Sequence, residues 1–445
     1  MDGTVIARIR DAGVVGAGGA GFPTAVKLDS APEVILVNGV ECEPLIQVDQ
    51  QLAALHAPVL LGTLAELVSA MGAKRGVFAL KGKYAAACEA LTKEAGKYPS
   101  LSVTTLSSSY PMGDEQVLVY EALGRIVPEA GIPLNVGAVV VNTETLLNIR
   151  AALDGRAVTD KYITVTGAVK KPATFKVPLG VPYRSLIEAA GGVLVQDPVL
   201  IDGGPMMGKV QRNLDAPVTK TSKAIIVLAG DHPVIRSQEY SVERMLKMAR
   251  AACCHCSMCS DVCPRSLLGH DLFPDKLMRL ASYNSTCEKE SSAASAYLCC
   301  ECRLCEYACI MGLQPWMLNR ELKRRLKKAG VKNPYHNQPA KASEFREFRR
   351  YPTDKLVRQL GLTGYYHTAA PLADYAGPVD AVYLPLKQHF GAPAKPAVAA
   401  GDRVKRGDRV AVMEEGALGA AVHASIDGRV RSVDAALVVI EGSSK

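Results

Sequence analysis

Eight of the thirteen cysteines in this 445-residue chain fall into two copies of one spacing, Cys-x2-Cys-x2-Cys-x3-Cys. The first copy is Cys253, Cys256, Cys259 and Cys263, followed by Pro264; the second is Cys299, Cys302, Cys305 and Cys309. Such close spacing wraps three thiolates round one [4Fe–4S] cube and carries the fourth to a neighbouring cube. Two copies predict two cubes with crossed ligation: Cys253, Cys256, Cys259 and Cys309 on one, and Cys299, Cys302, Cys305 and Cys263 on the other. A chain so equipped moves electrons singly. Zinc sites pair their cysteines across a longer spacer. Disulfides need an oxidising compartment, and the opening MDGTVIARIRDAG has no cleavable apolar stretch. Ile310 stands where the second run often has proline, at a turn-shaping position that is not a ligand.

Cys42, Cys88, Cys254, Cys287 and Cys300 remain. Cys254 and Cys300 each follow the first ligand of a run; shifting to either breaks the spacing, so both read as spare. Cys88 lies in an Ala-rich helical stretch and reads as core. The length prior gives about three domains, and 48% hydrophobic residues supply real cores. Lys plus Arg exceeds Asp plus Glu by 52 − 44 = 8, an excess too small and dispersed to point to nucleic acid. No apolar run approaches the ~18–20 residues of a membrane span. A soluble cytoplasmic protein is the expectation.

Along the chain, EVILVNG (33–39), GVFALKG (76–82) and GAVVVN (137–142) read as buried strands, with helices over 50–71, 84–96 and TETLLNIRAAL. This alternation predicts an α/β domain with a largely parallel sheet. From about 158 to 232 the pattern turns β-rich, with a short helix VPYRSLIEAAGG ended by glycines. Helix-like SVERMLKMARAA leads into the first cysteine run, and the second leads into PWMLNRELKRRLKKAG. In the latter, Leu318, Leu322 and Leu326 recur at helical spacing, while Arg320, Lys323, Arg324, Arg325, Lys327 and Lys328 occupy other faces. That basic side reads either as a solvated face or as a docking surface for an acidic partner. Residues 333–375 read as an irregular polar arm. From about 376 short strands punctuated by Gly and Asp predict an all-β sandwich or barrel.

The second strong signal is Gly16-Ala17-Gly18-Gly19-Ala20-Gly21-Phe22-Pro23-Thr24. Four glycines in six positions let a flat or anionic ligand lie against the backbone. Gly16, Gly18 and Gly21 match GxGxxG, but the preceding VIARIRDAGVV looks helical, so an ordinary dinucleotide-binding fingerprint fits poorly.

In order, GAGGAGFPTAVK, VNGVECEP, YPMGDEQ and VVVNTETL resemble the family of the complex I FMN- and NADH-binding subunit and of RnfC. They are most similar to its PduS-like cobalamin (corrin) reductase branch. The resemblance implies that Gly16, Gly18, Gly19, Gly21 and Phe22 cradle FMN, with Lys27, Asn38, Glu41 and Glu43 completing the site. It carries over Gly113, Asp114, Glu115, Asn142 and Thr145 likewise, with Asp114 and Glu115 as the acidic pair near FMN and NADH. Val40 departs from the complex I pattern, which has an acid there, and bears on nicotinamide binding. Cys42 reads as a small neutral filler beside the flavin or as a redox thiol.

The implied fold is multidomain α/β and α+β. It has a complex I FMN-subunit-like domain over 1–157, a β-grasp (SLBB) module over 158–232 and a bacterial dicluster ferredoxin-like helical domain over 240–332. A connecting arm over 333–375 and a β barrel-sandwich hybrid over 376–445 complete it. The last segment closes the chain here, as in the cobalamin reductase branch, whereas in RnfC it precedes the flavin domain. Val412-Met413-Glu414-Glu415-Gly416 offers no lysine for lipoyl or biotinyl attachment.

NADH releases two electrons as a hydride and a cube takes one at a time, so a flavin between them converts pairs to singles. The resemblance implies an NADH-dependent reductase passing electrons through FMN and two [4Fe–4S] clusters to cob(II)alamin. The cob(I)alamin formed would serve a corrinoid adenosyltransferase, among the shell and lumen proteins of a bacterial microcompartment. The β-grasp module is either the corrin's seat or plain scaffold, and His255 either tunes a cluster or is an exposed loop residue. An RnfC-like subunit serving a membrane partner is the enzymatic alternative, and an adaptor whose clusters only stabilise the fold is the non-enzymatic one.

Overall fold

The computed structural model describes residues 3–283 and 293–442, so Cys287 lies outside the described residues. Helix α1 (Gly3–Asp11) precedes the glycine loop, and a short turn α2 (Thr24–Leu28) follows it before strand β1 (Val34–Gly39). Next come α3 (Val48–Leu55), α4 (Ala57–Met71), β2 (Arg75–Lys81), α5 (Ala85–Ala95) and β3 (Leu101–Leu106). Then β4 (Ser109–Tyr110), α6 (Glu115–Leu123), β5 (Ala138–Asn142) and α7 (Thr143–Leu153) complete this part. The single helix expected over 50–71 is two, bent by 89°. Pro58 lies in the first turn of α4, where a missing N–H costs nothing, so a new helix starts there rather than the old one continuing.

The sheet order is β3-β2-β1-β5, all parallel. Strands β1, β2 and β5 are near-continuous apolar runs because both faces are covered, whereas the edge strand β3 is partly exposed. The two-residue period sorts them cleanly: Ile35, Val37, Phe78, Leu80, Val139 and Val141 face a core with α3, α4 and α7. Val34, Leu36, Val77, Ala79, Ala138 and Val140 face a second core with α6. Leu60, Leu61, Leu64 and Leu67 of α4 are fully buried, each worth about 1.5–3 kcal/mol. No single helix among the described residues is long and apolar enough to cross a membrane.

The second unit is a mixed sheet. Strands β6 (Asp160–Gly167) and β7 (Ala173–Pro178) form a hairpin, α8 (Tyr183–Ala189) packs against it, and β8 (Pro198–Asp202), β9 (Lys209–Gln211) and β10 (Ala224–Ala229) follow. Short α9 (Pro233–Gln238) leads to the helical cysteine-bearing unit: α10 (Val242–Ala252), α11 (Met258–Asp261), α12 (Pro264–Leu267), α13 (Pro274–Tyr283), α14 (Leu304–Ala308) and α15 (Pro315–Lys328). Met278, Trp316, Met317 and Leu318 pack there with Met245 and Ala249.

The segment read as an irregular arm is an ordered strap. Strand β11 (Tyr351–Pro352) pairs with β4, α16 (Thr353–Gln359) follows, and β12 (Leu372–Asp374) adds a parallel strand beside β7. The sheet thus runs β12-β7-β6-β10-β8-β9. Leu356, Val357, Leu360 and Leu362 are buried in a core shared with β8, β10 and Cys302. Polar spacing hid these four among charged neighbours. Strands β13 (Ala381–Pro385), β14 (Lys395–Pro396), β15 (Arg403–Val404), β16 (Arg409–Val412), β17 (Val422–His423), β18 (Gly428–Val433) and β19 (Leu437–Gly442) close the chain. They form two small sheets, β13-β19-β18-β15 and β14-β16-β17.

Candidate functional site

In the parallel sheet the connection from β1 runs to β2 on one side, while β5 lies on the other. The crevice at the carboxyl ends of β1 and β5 is therefore a topological switch point, where open α/β sheets bind ligands. Asn38 and Asn142 are register partners at that edge. The glycine loop folds over it. Its base is closed by Gly16 N–H to Phe22 O (2.9 Å) and Gly21 N–H to Gly16 O (3.2 Å). Ala17 N–H donates to Thr145 Oγ1 at 2.9 Å, and Gly18 sits against the Asn142 side chain. The tip, Gly18 to Ala20, is exposed; Gly19 has φ +120° and open space where a Cβ would be. That leaves backbone accessible to a flat ligand.

Asn142 caps α7, accepting from Glu144 N–H (3.0 Å), and its amide donates to Asp49 at 2.9 Å. Asn38 accepts from Val40 N–H and donates to Gly113 O at 3.0 Å. Gly113 is required: a Cβ there would stand 2.6 Å from Val40 O and 3.0 Å from Cys42 Cβ. Lys27 of α2 reaches Glu115 at 2.7 Å. The loop, Asn38, Gly113, Glu115, Lys27, Asn142 and Thr145 thus gather round one crevice. Glu41 accepts from the first amides of α3, Val48 and Asp49, through Oε1, while its buried Oε2 has no partner. Burial, with Asp49 beside it, pushes the Glu41 carboxyl up to about 7. This crevice, with its accessible glycine tip and a cation at the rim, fits a flavin phosphate and ring.

Two expected members point elsewhere. Glu43 accepts from Met206 N–H (2.9 Å) and Met207 N–H (2.8 Å), so it faces the β8–β9 turn rather than the glycine loop. Burial pushes it up to about 7. Asp114 caps α6 through Gln116 and Val117 N–H and takes a two-pronged pair from Arg265 (2.6 and 2.9 Å). Burial alone would raise Asp114, but Arg265 outweighs it and holds the carboxyl below its usual range. Cys42 is a half-buried thiol raised to about 11 by burial, as suits a neutral filler.

Cys263, Cys299, Cys302 and Cys305 line one small cavity with Cys300, Arg265, Trp316 and Asn319. Cys263 packs with Cys299, whereas Cys309 packs with Cys253 and Cys259. The cavity thus joins Cys263 to three thiols of the second run, as crossed ligation needs, while Cys305 also packs with Cys253, Cys259 and Cys309. Burial pushes the Cys263 and Cys259 thiols up to about 12, with Cys299 adding to the first and Asp275 and Cys309 to the second. The cost of ionising closely spaced thiols is what bound iron offsets. The two runs also share a backbone device: His255 and Ser257 flank Cys256, and Glu301 and Arg303 flank Cys302, all four with φ between 57° and 63°. Left-handed residues of this kind aim successive N–H groups into an anion-binding concavity, here round the second cysteine of each run. The donor set, the cavity and the paired turns fit two thiolate-held clusters.

Several residues around the thiols were not legible as site residues. Asn319 of α15 donates to Cys299 Sγ (3.7 Å). Lys323, which helical spacing places on an outer face, instead bonds Cys299 O (2.8 Å) and Glu301 (2.7 Å). Arg303 pairs with Glu306, which also accepts from Trp316 Nε1 at 2.7 Å, and reaches Met206 O. His255, which the sequence offers either as tuning a cluster or as a loop residue, is exposed, lies 3.9 Å from Cys253 Sγ and stacks on Tyr283. Tyr110 donates to Cys302 O at 2.8 Å. A polar residue next to a ligand cysteine was the available signal for Arg265 and Arg303. Nothing in the sequence marks Tyr110 as a neighbour of the thiols in space.

Behind the crevice lies a buried ionic cluster. Lys223 pairs with Asp49 (2.7 Å) and approaches Glu144 (3.6 Å), and Glu144 also holds Lys161. It joins the parallel sheet to the β-grasp unit. At the loop's other side, Phe390 N–H donates to Gly21 O (2.9 Å), and the Phe22 and Phe390 rings lie 5.9 Å apart. The terminal β unit therefore braces the glycine loop.

Four family models match the chain: the Nuo51 FMN-binding domain over residues 9–151, the SLBB domain over 162–210, the 4Fe-4S dicluster domain over 252–314 and the RnfC barrel sandwich hybrid domain over 366–444. The chain is 42% identical to the cobalamin reductase PduS of Citrobacter freundii, over 99% of this chain and 97% of that protein. It is 43% identical to the cobalamin reductase PduS of Salmonella typhimurium, over 98% and 96%. It is also 34% identical to one subunit of the Na(+)-translocating ferredoxin:NAD(+) oxidoreductase complex of Acetobacterium woodii, over 59% of this chain and 58% of that one.

Proposed function

Since the chain belongs to the PduS cobalamin reductase family, we propose that it draws electrons from NADH and delivers them through FMN and two [4Fe–4S] clusters to cob(II)alamin. Bound flavin would supply conversion of a hydride pair into single electrons, and bound clusters would supply one-electron carriage. The glycine tip, Asn38, Lys27, Asn142 and Thr145 would seat and orient the flavin at the β1/β5 crevice. Glu41, poised near neutrality, would hold or release a proton at Oε2 beside it. Gly113 permits the close approach of 110–115 to the β1 exit, and the strap keeps that segment fixed from behind. Thiolates of the two runs would hold the clusters with the crossed assignment of the eight cysteines.

The single observation that supports this reading best is the Tyr110–Glu115 segment. One end reaches the crevice through Lys27–Glu115 and Asn38–Gly113, and the other touches the thiol cavity through Tyr110–Cys302 and Asp114–Arg265. The cob(I)alamin product would pass to a corrinoid adenosyltransferase within a bacterial microcompartment. Likeness to the A. woodii protein supports a second reading, delivery to another protein or membrane partner. Visible spectra of anaerobically reconstituted protein test the core of both readings. A flavin band and a broad thiolate-to-iron absorption should appear and bleach on adding NADH; bleaching of neither contradicts an electron-transfer enzyme.

A further inference from the structure

The two cysteine runs are equivalent in sequence but not in setting. Three of the four thiols of the mixed set Cys263, Cys299, Cys302 and Cys305 are buried and Cys299 is half-buried. In the other set Cys256 is exposed, and Cys253, Cys259 and Cys309 are half-buried. The buried set is bolted to the flavin-side unit at two points. The Tyr110 hydroxyl donates to the carbonyl of Cys302 itself, and Arg265, two residues beyond Cys263 and lining the same cavity, grips Asp114 with both nitrogens. Tyr110 and Asp114 lie within the same short segment as Gly113 and Glu115, which contact the crevice through Asn38 and Lys27.

The other set has no such attachment among the described residues. Its nearest side-chain contacts are Cys253 to His255, and Ser257 and Ser260 to Asp275, and its contacts outside the unit are to the strap. Asp261, further on, pairs with Arg349 of the strap at 3.1 Å. Around this set Cys254, His255, Met258, Tyr283, Ile310 and Met311 are all exposed.

We infer that the cluster held by Cys263, Cys299, Cys302 and Cys305 receives electrons from the flavin, and that the cluster held by Cys253, Cys256, Cys259 and Cys309 is the exit to the acceptor. The inference rests on the flavin and dicluster reading above and adds direction to it. Electron tunnelling falls steeply with distance, so the cluster whose lining residues Cys302 and Arg265 bond to the flavin-side segment fills first. The cluster whose ligand is open to solvent is the one an external acceptor can approach. NADH would pass a hydride to bound flavin and become NAD+, and the pair would leave as two single electrons with the hydride's proton released to solvent. Each passes the inner and then the outer cluster, so two one-electron acceptors are reduced per NADH.

Rapid-freeze electron paramagnetic resonance of the reconstituted full chain, mixed anaerobically with NADH, reads the order. In Cys256→Ala the remaining cluster should fill within about twofold of the wild-type rate. In Cys302→Ala the flavin should be reduced while the remaining cluster fills at least tenfold more slowly. The reverse pattern, or equal filling in both, overturns the inference. Should Cys302→Ala not retain its structure, serine at Cys299 or at Cys256 marks one cluster spectroscopically without removing it. The Cys299→Ser signal should then change in the earliest frozen samples and the Cys256→Ser signal later; the opposite sequence overturns the order. If NADH leaves the wild-type flavin oxidised, the functional reading fails separately, and light-reduced flavin replaces NADH as donor in the same comparison.

Discussion

At the scale of single residues, the site is held by side chains whose polar ends are almost all spoken for, and the exception carries a testable charge. Glu41 Oε1 accepts two amides and Oε2 accepts none. Burial raises its folded-state carboxyl from 4.5 to about 7. A carboxyl raised on folding stabilises fully below its unfolded value and loses that contribution as pH climbs through the folded one. The window is therefore about pH 4.5 to 7, and a shift of this size is worth up to about 3 kcal/mol. Cofactor-free wild-type protein should lose stability between about pH 4.5 and pH 7, and Glu41→Gln should lose less, by chemical denaturation at each pH. An unchanged slope in the variant would mean Glu41 is ionised throughout. Lys223, by contrast, is raised despite its burial because Asp49 and Glu144 surround it, so its ammonium stays charged across this window.

At the scale of elements, the strap is where the fold departs most from its sequence pattern. Residues 351–374 look polar, yet α16 buries Leu356 and Val357 and the following turn buries Leu360 and Leu362 against β8, β10 and the Cys302 loop. Leu360→Ala removes a fully buried side chain and should cost about 2–4 kcal/mol, seen as a lower denaturation midpoint. A loss under about 0.5 kcal/mol would show the strap to be a loose cover. Strands β1, β2 and β5 were legible because continuous Val/Ile runs leave no alternative to burial on both faces. The eight thiols were legible because ligand spacing is local. Tyr110–Cys302, Asp114–Arg265 and Glu43–Met206 were not, because each joins residues at least 150 positions apart. Short motifs carry no trace of such pairings. They also explain why Asp114 and Glu43, read by resemblance as flavin-site acids, are turned to the cysteine-bearing and β-grasp units instead.

At the scale of the whole molecule, four kinds of unit meet round one crevice. The parallel sheet supplies its floor, the β-grasp unit approaches it through Lys223 and Asp49, and the terminal β unit braces Gly21 through Phe390. The cysteine-bearing unit attaches through Arg265 to Asp114 and through the Cys302 carbonyl, which accepts from Tyr110. The central claim is that these units form one path from a nicotinamide donor to a corrin. The most direct measurement is anaerobic, NADH-dependent reduction of cob(II)alamin by the reconstituted chain, with cob(I)alamin trapped by a corrinoid adenosyltransferase. The account predicts adenosylcobalamin formation that requires NADH and is lost in Cys256→Ala. Reduced flavin and clusters with no corrin turnover, while another acceptor is readily reduced, would contradict it.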